Sequence, residues 1–129
     1  MTELRAGVTG VIATQDFWGG DLGLARRHAG GRREAVTVAL GAVGGAAAVR
    51  VTAAVQFVLQ PAGGAALGPY GGVGLAFAGV EGARSAGYLA LMVGLEGAPG
   101  RPLGWFAEVG VEGGVRVAAG LRWRRFSRP

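Results

Sequence analysis

Residues 104–126 read GWFAEVGVEGGVRVAAGLRWRRF, and their alternating character decides the fold. Apolar residues occupy every second position on both sides of a central glycine pair; they are Trp105, Ala107, Val109 and Val111, then Val115, Val117, Ala119, Leu121 and Trp123. The positions between them hold mostly small or charged residues. A period of two is typical of β-strands. The stretch therefore predicts an antiparallel hairpin with one apolar face and one face of small and charged residues.

The register of this hairpin follows from its pattern. Residues that oppose each other across an antiparallel pair lie on the same face of the sheet, so apolar positions must meet apolar positions. A three-residue loop at 113–115 satisfies this rule. It places Trp105 across from Trp123 on the apolar face and Glu112 across from Arg116 on the other face.

The composition of the second face decides which face points inward. Glycine, alanine and a few charged residues make a poor coat against water, but they suit a narrow lumen. A β-barrel that spans lipid needs an apolar exterior, and it must be closed because no backbone group can meet hydrocarbon unpaired. The hairpin therefore predicts a transmembrane barrel.

The same alternation recurs along the chain. Further strands are predicted at residues 4–15, 21–27, 35–42, 49–59, 70–78 and 89–96, separated by turns at 16–20, 28–33, 44–45, 60–69, 81–87 and 97–104. The two-residue Gly44-Gly45 turn switches the outward parity between its flanking strands, as such a turn must. The sequence thus predicts an all-β fold, an eight-stranded antiparallel up-and-down meander barrel with short turns.

Length and composition agree with this prediction. The 129 residues allow one domain, residues 1–129, and a mean hydropathy of +0.38 with 16% charged residues is apolar for a protein in water. The longest uncharged stretch, residues 51–80, is interrupted by Pro61, Pro69 and many glycines, and it alternates with period two. A membrane-spanning helix is therefore not predicted.

The formal net charge of +5 does not indicate nucleic acid, because the arginines are scattered and no aromatic-basic recognition motif occurs. The absence of cysteine excludes disulfides and thiolate metal sites. The first residues, MTELRAGVTG, do not form a secretory signal. A location in the outer membrane therefore carries the expectation that the native precursor had a signal peptide that this numbering omits; the alternative is that Met1 is the native start.

One set of residues carries charge onto the predicted lumen face: Arg50, Glu96, Glu108, Glu112, Arg116, Arg122 and Arg124. Eight strands leave room inside for side chains only. We interpret the set as a structural network of ion pairs that fills the barrel. The alternative is a charged, narrow pore.

Aromatic residues fall where a lipid-spanning barrel carries its interfacial girdles. The predicted interface aromatics are Phe57, Tyr70, Trp105, Trp123 and Phe126 near one rim, and Phe17, Trp18 and Tyr88 near the other. Their positions were not used to assign the strands, so they support the barrel independently.

Nothing in the sequence indicates an enzyme. His28 is the only histidine, Ser85 and Ser127 are the only serines, and no catalytic triad can be assembled from them at a plausible spacing. No ligand set for a metal is predicted, and no cofactor.

The chain resembles, over nearly its whole length, the small eight-stranded outer-membrane β-barrels formed by the membrane domain of outer membrane protein A and its minimal relatives. The resemblance lies in architecture and patterning. The final GLRWRRF, ending at Phe126, is similar to the closing strand of such barrels, although Ser127, Arg128 and Pro129 follow it. The resemblance implies membrane lipid and the barrel insertion machinery as partners, and leaves the oligomeric state open.

Three functions follow as hypotheses. The first is a structural or anchoring role in the outer membrane, without catalysis. The second is a narrow passive pore for small solutes. The third is a soluble barrel that binds a hydrophobic ligand inside, which would require the apolar face to point inward.

Overall fold

The computed structural model describes residues 2–13, 16–28, 31–58, 67–80, 85–97 and 102–125. These residues form eight strands: β1 Thr2–Ile12, β2 Phe17–Arg27, β3 Arg32–Val43, β4 Ala46–Val58, β5 Leu67–Val80, β6 Ala86–Gly97, β7 Leu103–Val111 and β8 Val115–Arg125. Sequential strands pair antiparallel, and β1 pairs with β8 to close the barrel. The predicted eight-stranded up-and-down barrel is confirmed. No helix in the described ranges is both long enough and apolar enough to span a membrane.

The two ends of the barrel are distinguished by the chain termini. The edge where β1 begins and β8 ends is called the termini rim, and it also holds the ends of β2, β4 and β6. The opposite edge, where β1 ends and β2 begins, is called the far rim. Both names are kept below.

Strand β2 is longer than the sequence pattern indicates. The turn predicted at 16–20 is wrong, because β2 begins at Phe17, which pairs with Val43 of β3. Glycine usually marks a turn, but Gly19 lies within β2 and faces Gly41 across the sheet. Inside a narrow barrel a glycine can lie within a strand, where its lack of a side chain leaves space for the neighbouring strand.

Four other strands also begin inside predicted turns. Strand β6 begins at Ala86 and β7 at Leu103, within the turns predicted at 81–87 and 97–104. Strand β3 begins at Arg32, within the turn predicted at 28–33. Strand β5 begins at Leu67, so that Pro69 lies opposite Leu95 in a strand rather than in a connector. In a closed barrel each strand pairs with a neighbour on both sides, and this pairing keeps residues in the strand even where the local sequence favours a turn.

The register predicted for the last hairpin is wrong by two residues. Val111 pairs with Val115, and Trp105 faces Leu121 instead of Trp123. The three-residue loop is 112–114, with Gly113 at a φ of 72°, a conformation that favours glycine in such loops. A shift of two residues leaves every side chain on its predicted face.

The hairpin between β3 and β4 has the predicted two-residue turn. Val43 pairs with Ala46, and Gly44 and Gly45 have φ values of 56° and 84°. Positive φ at both central residues matches the twist of the flanking strands, which is why this turn requires residues such as glycine.

The outward face of the barrel is a continuous band of apolar side chains, here called the apolar belt. Leu22 and Leu40 are 64% and 65% exposed, while Arg33 and Glu96 are 0% exposed. The belt contains, among others, Leu4, Val8, Leu24, Val36, Val38, Val51, Val55, Val73, Leu75, Leu89, Leu91, Val93, Val109 and Leu121. The predicted facing is found in the structure.

Glycine on the inner face permits close approach of neighbouring strands. A Cβ added at Gly19 would lie 2.2 Å from the Leu40 carbonyl oxygen, and one added at Gly41 would lie 2.0 Å from the Trp18 carbonyl oxygen. Both distances are far below van der Waals contact with backbone. The strand path itself therefore requires glycine at these two positions.

We expect Gly19→Ala to lower the free energy of unfolding by about 1 to 3 kcal/mol, because the added methyl forces the backbone of β3 to move. The matched control is Gly20→Ala in the same strand, where the nearest atom to an added Cβ is 3.6 Å away. It should change stability by about 0.5 kcal/mol or less. Urea unfolding in detergent micelles, followed by tryptophan fluorescence, measures both. Equal losses would contradict the close strand approach.

Candidate functional site

The barrel interior concentrates charge. Eleven charged side chains in the described residues are buried there: Glu3, Arg5, Asp21, Arg33, Arg50, Glu96, Glu108, Glu112, Arg116, Arg122 and Arg124. All seven charged residues that the sequence placed on the lumen face are among them. The predicted ion-pair set omits Glu3, Arg5, Asp21 and Arg33, although each has the parity of its strand's inward positions.

The first group of ion pairs lies toward the termini rim and is called the termini-side cluster. The Arg33 guanidinium donates to Glu3 and Glu96 at 3.1 Å each. Arg122 donates to Glu3 at 3.0 Å, and Arg124 donates to Glu96 at 2.9 Å. Two carboxylates thus stand between three guanidinium groups from β3 and β8.

The second group, called the central cluster, lies nearer mid-barrel. Arg5 of β1 donates to Asp21 at 3.1 Å and to Glu108 at 3.3 Å. Arg116 also donates to Glu108, and the Tyr70 hydroxyl donates to the same carboxylate at 2.8 Å. Glu108 therefore joins β1, β5 and β8 across the lumen.

Glu112 continues the chain of charges toward the far rim. Its carboxylate lies 3.2 Å from the Arg116 Nε and accepts a hydrogen bond from Thr52. Arg50 donates to the Glu112 backbone carbonyl. Ion pairs and hydrogen bonds thus extend through most of the length of the barrel, and they link strands on opposite sides of it.

Two inward aromatic rings are sandwiched between the clusters. The Arg5 guanidinium lies 4.0 Å from the centre of the Phe106 ring, and Arg33 lies 4.7 Å from the centre of the Tyr70 ring. Arg122 lies 5.5 Å from the Tyr70 ring and 5.4 Å from the Phe106 ring. Cations over aromatic faces are attracted by the ring quadrupole, so these rings add to the contacts that the arginines already make with carboxylates.

Three aromatic residues do not have the interfacial position that the sequence predicts. Phe17 and Tyr70 are each 1% exposed inside the barrel. Tyr88 is half-buried on the inward parity of β6, with its ring 5.4 Å from Arg50. Their closeness to a rim suggested a girdle, but the strand parity turns each of them inward.

The other predicted interface aromatics point outward where the structure describes them. Phe57, Trp105 and Trp123 lie on the outer face near the termini rim, and Trp18 lies on it near the far rim. Phe126 lies outside the described residues. Each rim thus carries at least one outward aromatic side chain.

The residues considered for catalysis are separated by the length of the barrel. His28 lies at the termini rim, 3.6 Å from the exposed Glu34 carboxylate. Ser85 precedes β6 at the far rim. Ser127 lies outside the described residues. Within the described ranges, no group of three or more histidine, cysteine, aspartate or glutamate side chains could hold a metal ion.

We expect Tyr70→Phe to lower the free energy of unfolding by about 1.5 to 3 kcal/mol, because Glu108 loses a buried hydrogen bond to a charged group. Tyr88→Phe is the control, since the Tyr88 hydroxyl makes no hydrogen bond with any described residue and its ring keeps its contact with Arg50. Urea titration of both variants in micelles measures the difference. Equal midpoints for the two variants would contradict the role assigned to the Tyr70 hydroxyl.

An apolar outer belt, a closed meander of eight strands and a charged interior together define the fold of eight-stranded outer-membrane barrels. Comparison with solved structures agrees. The N-terminal β-barrel domain of Pseudomonas aeruginosa OprF is similar with a TM-score of 0.68 and 15% identity over 93% of each chain. Neisserial surface protein A is similar with a TM-score of 0.67 and 14% identity over 96% of each chain. Both are outer-membrane eight-stranded barrels.

Sequence comparison adds nothing to this likeness. No protein-family model matches the chain, and no curated protein matches it significantly. At 14% and 15% identity the two solved structures establish the fold alone. The function is therefore argued from the geometry of this barrel.

Proposed function

We propose that the chain is an integral outer-membrane barrel with a structural or anchoring role, that its lumen is plugged by ion pairs, and that it is not an enzyme. The observation that carries the proposal is the interior network that runs from Glu3 to Glu112 across the lumen. Charged side chains that are held by partners of opposite sign stay in place across the lumen and block the passage of ions. The apolar belt supplies the membrane contact that an anchor needs.

The packing of the interior supports a closed lumen. Six of the eleven buried charged side chains come from β1, β7 and β8, while β3 to β6 contribute Arg33, Arg50 and Glu96 beside small inward residues such as Ala39, Ala54, Ala76 and Ala90. These small residues give the arginine side chains room to reach across the lumen. An interior cavity beside Glu3, Arg5 and Arg122 has a volume of about 10 Å³, which is room for about one water molecule.

A narrow passive pore is the second candidate, and one observation favours it. The Arg33 Nη2, Arg50 Nε and Arg122 Nη2 atoms are buried and have no hydrogen-bond partner among the described residues. Buried donors are almost always satisfied, so water in the lumen would be expected to reach them. A connected file of such waters would let small solutes or ions pass.

Single-channel conductance in planar bilayers separates these candidates. An anchor with a plugged lumen should give no discrete openings above the bare bilayer, and Glu96→Gln should not create any. Stable steps from the native chain that change with Glu96→Gln would instead establish the pore. A fold that is monodisperse in plain buffer, with its β circular dichroism spectrum unchanged by detergent, would contradict both candidates and favour a soluble barrel.

Localisation in the outer membrane is part of the same proposal. The two similar solved barrels and the apolar belt support it. Expression with an export signal, followed by separation of inner and outer membranes, tests it. Recovery of folded chain from the inner-membrane or soluble fraction would contradict it.

A further inference from the structure

The termini rim carries a row of polar side chains on three adjacent strands. Thr2 of β1 pairs with Arg26 of β2 on one side and with Arg125 of β8 on the other. All three side chains are exposed on the outer face. With strands about 4.8 Å apart, the two arginines flank the threonine at a distance that lets both reach one anionic group.

The two arginines are available for an external partner. Neither Arg26 nor Arg125 makes a hydrogen bond or ion pair with a described residue. Glu34 lies directly across from Arg26, but its carboxylate lies 3.6 Å from His28 and 3.9 Å from Arg32. The acidic group in this neighbourhood is therefore engaged on the side away from Thr2.

Immediately inward from this row the surface becomes apolar. Leu4 lies between Leu24 and Trp123, and the next outward position of β1 is the small residue Ala6. The outer surface of β1 is therefore low at Ala6, between the exposed side chains of Leu4 and Val8. Tryptophan at this level is typical of a boundary between headgroups and hydrocarbon.

Beyond Ala6 the outer face has a depression of about 360 Å³ at Val8, Gly10 and Ala119, with the Trp18 indole forming one wall. From Thr2 to Val8 is about 20 Å along the strand. A strand tilt of about 40° reduces this to about 15 Å along the membrane normal, which is half the thickness of the hydrocarbon core. The outer surface from Thr2 to Val8 thus spans the depth of one leaflet.

We propose that this surface is a binding site for an anionic phospholipid in the leaflet at the termini rim. Arg26 and Arg125 hold the phosphate from two sides, and the Thr2 hydroxyl donates a third hydrogen bond. One acyl chain lies along β1 over Ala6 and ends in the depression. The proposal goes beyond an anchoring role and rests on the lipid-facing exterior, not on whether the lumen conducts.

Tryptophan quenching by brominated lipids tests the site in the folded chain. Trp105→Phe with Trp123→Phe leaves Trp18, whose indole forms one wall of the depression, as the only tryptophan of the three. In mixed micelles, brominated phosphatidylglycerol should quench Trp18 at a mole fraction roughly 25-fold lower than brominated phosphatidylcholine. Each arginine near the lipid surface should contribute roughly fivefold to this preference. Equal quenching by the two lipids would overturn the proposal.

Single-charge variants separate a site from a general surface potential. Arg125→Gln should reduce the preference roughly fivefold. Arg32→Gln removes the same charge from the same rim, but on β3 and beside Glu34, so it should leave the preference unchanged. Equal reductions would mean that the rim attracts anions without a site. Circular dichroism in micelles verifies that both variants are folded.

Competition distinguishes a lipid from a free anion. Inorganic phosphate at millimolar concentration should not reduce the quenching by brominated phosphatidylglycerol, since it offers no acyl chain to the depression. If phosphate alone abolishes the preference, the site binds a free anion and the lipid assignment is wrong.

Discussion

Glu96→Gln is expected to lower the free energy of unfolding by about 3 to 5 kcal/mol, because the substitution removes one partner of a buried charge network. Glu96 is 0% exposed and accepts hydrogen bonds from Arg33 at 3.1 Å and from Arg124 at 2.9 Å. Arg122 Nε lies 3.6 Å away. In the variant Glu3 alone must balance three guanidinium groups. The measurement is reversible urea unfolding in lipid vesicles.

The control for this prediction is Val93→Ala in the same strand. Val93 is 60% exposed on the outer face, so losing two methyl groups removes only lipid contact, and the expected loss is about 1 kcal/mol. A double variant with Arg124→Gln should lose less than the sum of the single losses, because the two groups act as a pair. Equal midpoints for Glu96→Gln and Val93→Ala would show that the interior charges are hydrated and screened, which would favour the pore.

The barrel itself could be predicted because its determinant is local. Alternation in β7 and β8 fixes which residues share a face, and this holds even when the register is wrong by two, as it is for Trp105. The Gly44-Gly45 turn is equally local, since two positive φ values are a property of the turn residues. Faces and turns therefore follow from the sequence.

Strand ends were harder to predict, because in a narrow barrel glycine and charged residues occur both in turns and on the inner faces of strands. Gly19 and Gly20 resemble a turn, yet they lie in β2. Arg33 resembles a polar connector residue, yet it is 0% exposed inside. In each case the local signal indicates a loop, while pairing with both neighbouring strands extends the sheet. Extending each strand by parity alone would have found Arg33.

The partners within the interior network could not be predicted at all. Arg33 meets Glu96 across the lumen although 63 positions separate them in the chain. Which arginine meets which carboxylate depends on the stagger of strands around the closed barrel. That stagger is a property of all the pairings together. The inward turn of Tyr70, by contrast, follows from parity, because Tyr70 and Gly72 share one face of β5.

The second prediction concerns the depth dependence of the outer face. Ala53→Arg should lower the free energy of unfolding by about 2 to 4 kcal/mol, whereas Ala47→Arg should cost about 1 kcal/mol or less. Both alanines are outward and exposed on β4, but Ala53 lies near mid-strand and Ala47 lies next to the Gly44-Gly45 turn. The two variants thus share strand, face, residue type and added charge.

Only the position along β4 differs between the two variants, by about 20 Å along the strand. In hydrocarbon a guanidinium at mid-belt loses its hydration, while one at the rim can reach water and headgroups. In a water-soluble barrel both arginines would be hydrated, and the two unfolding midpoints would coincide. Urea unfolding in lipid vesicles measures the pair. The control is the same substitution at the inward residues Ala54 and Ala48. If those two variants have equal stabilities while Ala53→Arg and Ala47→Arg differ by several kcal/mol, the effect lies on the outer face, because depth in the bilayer acts on side chains that face lipid.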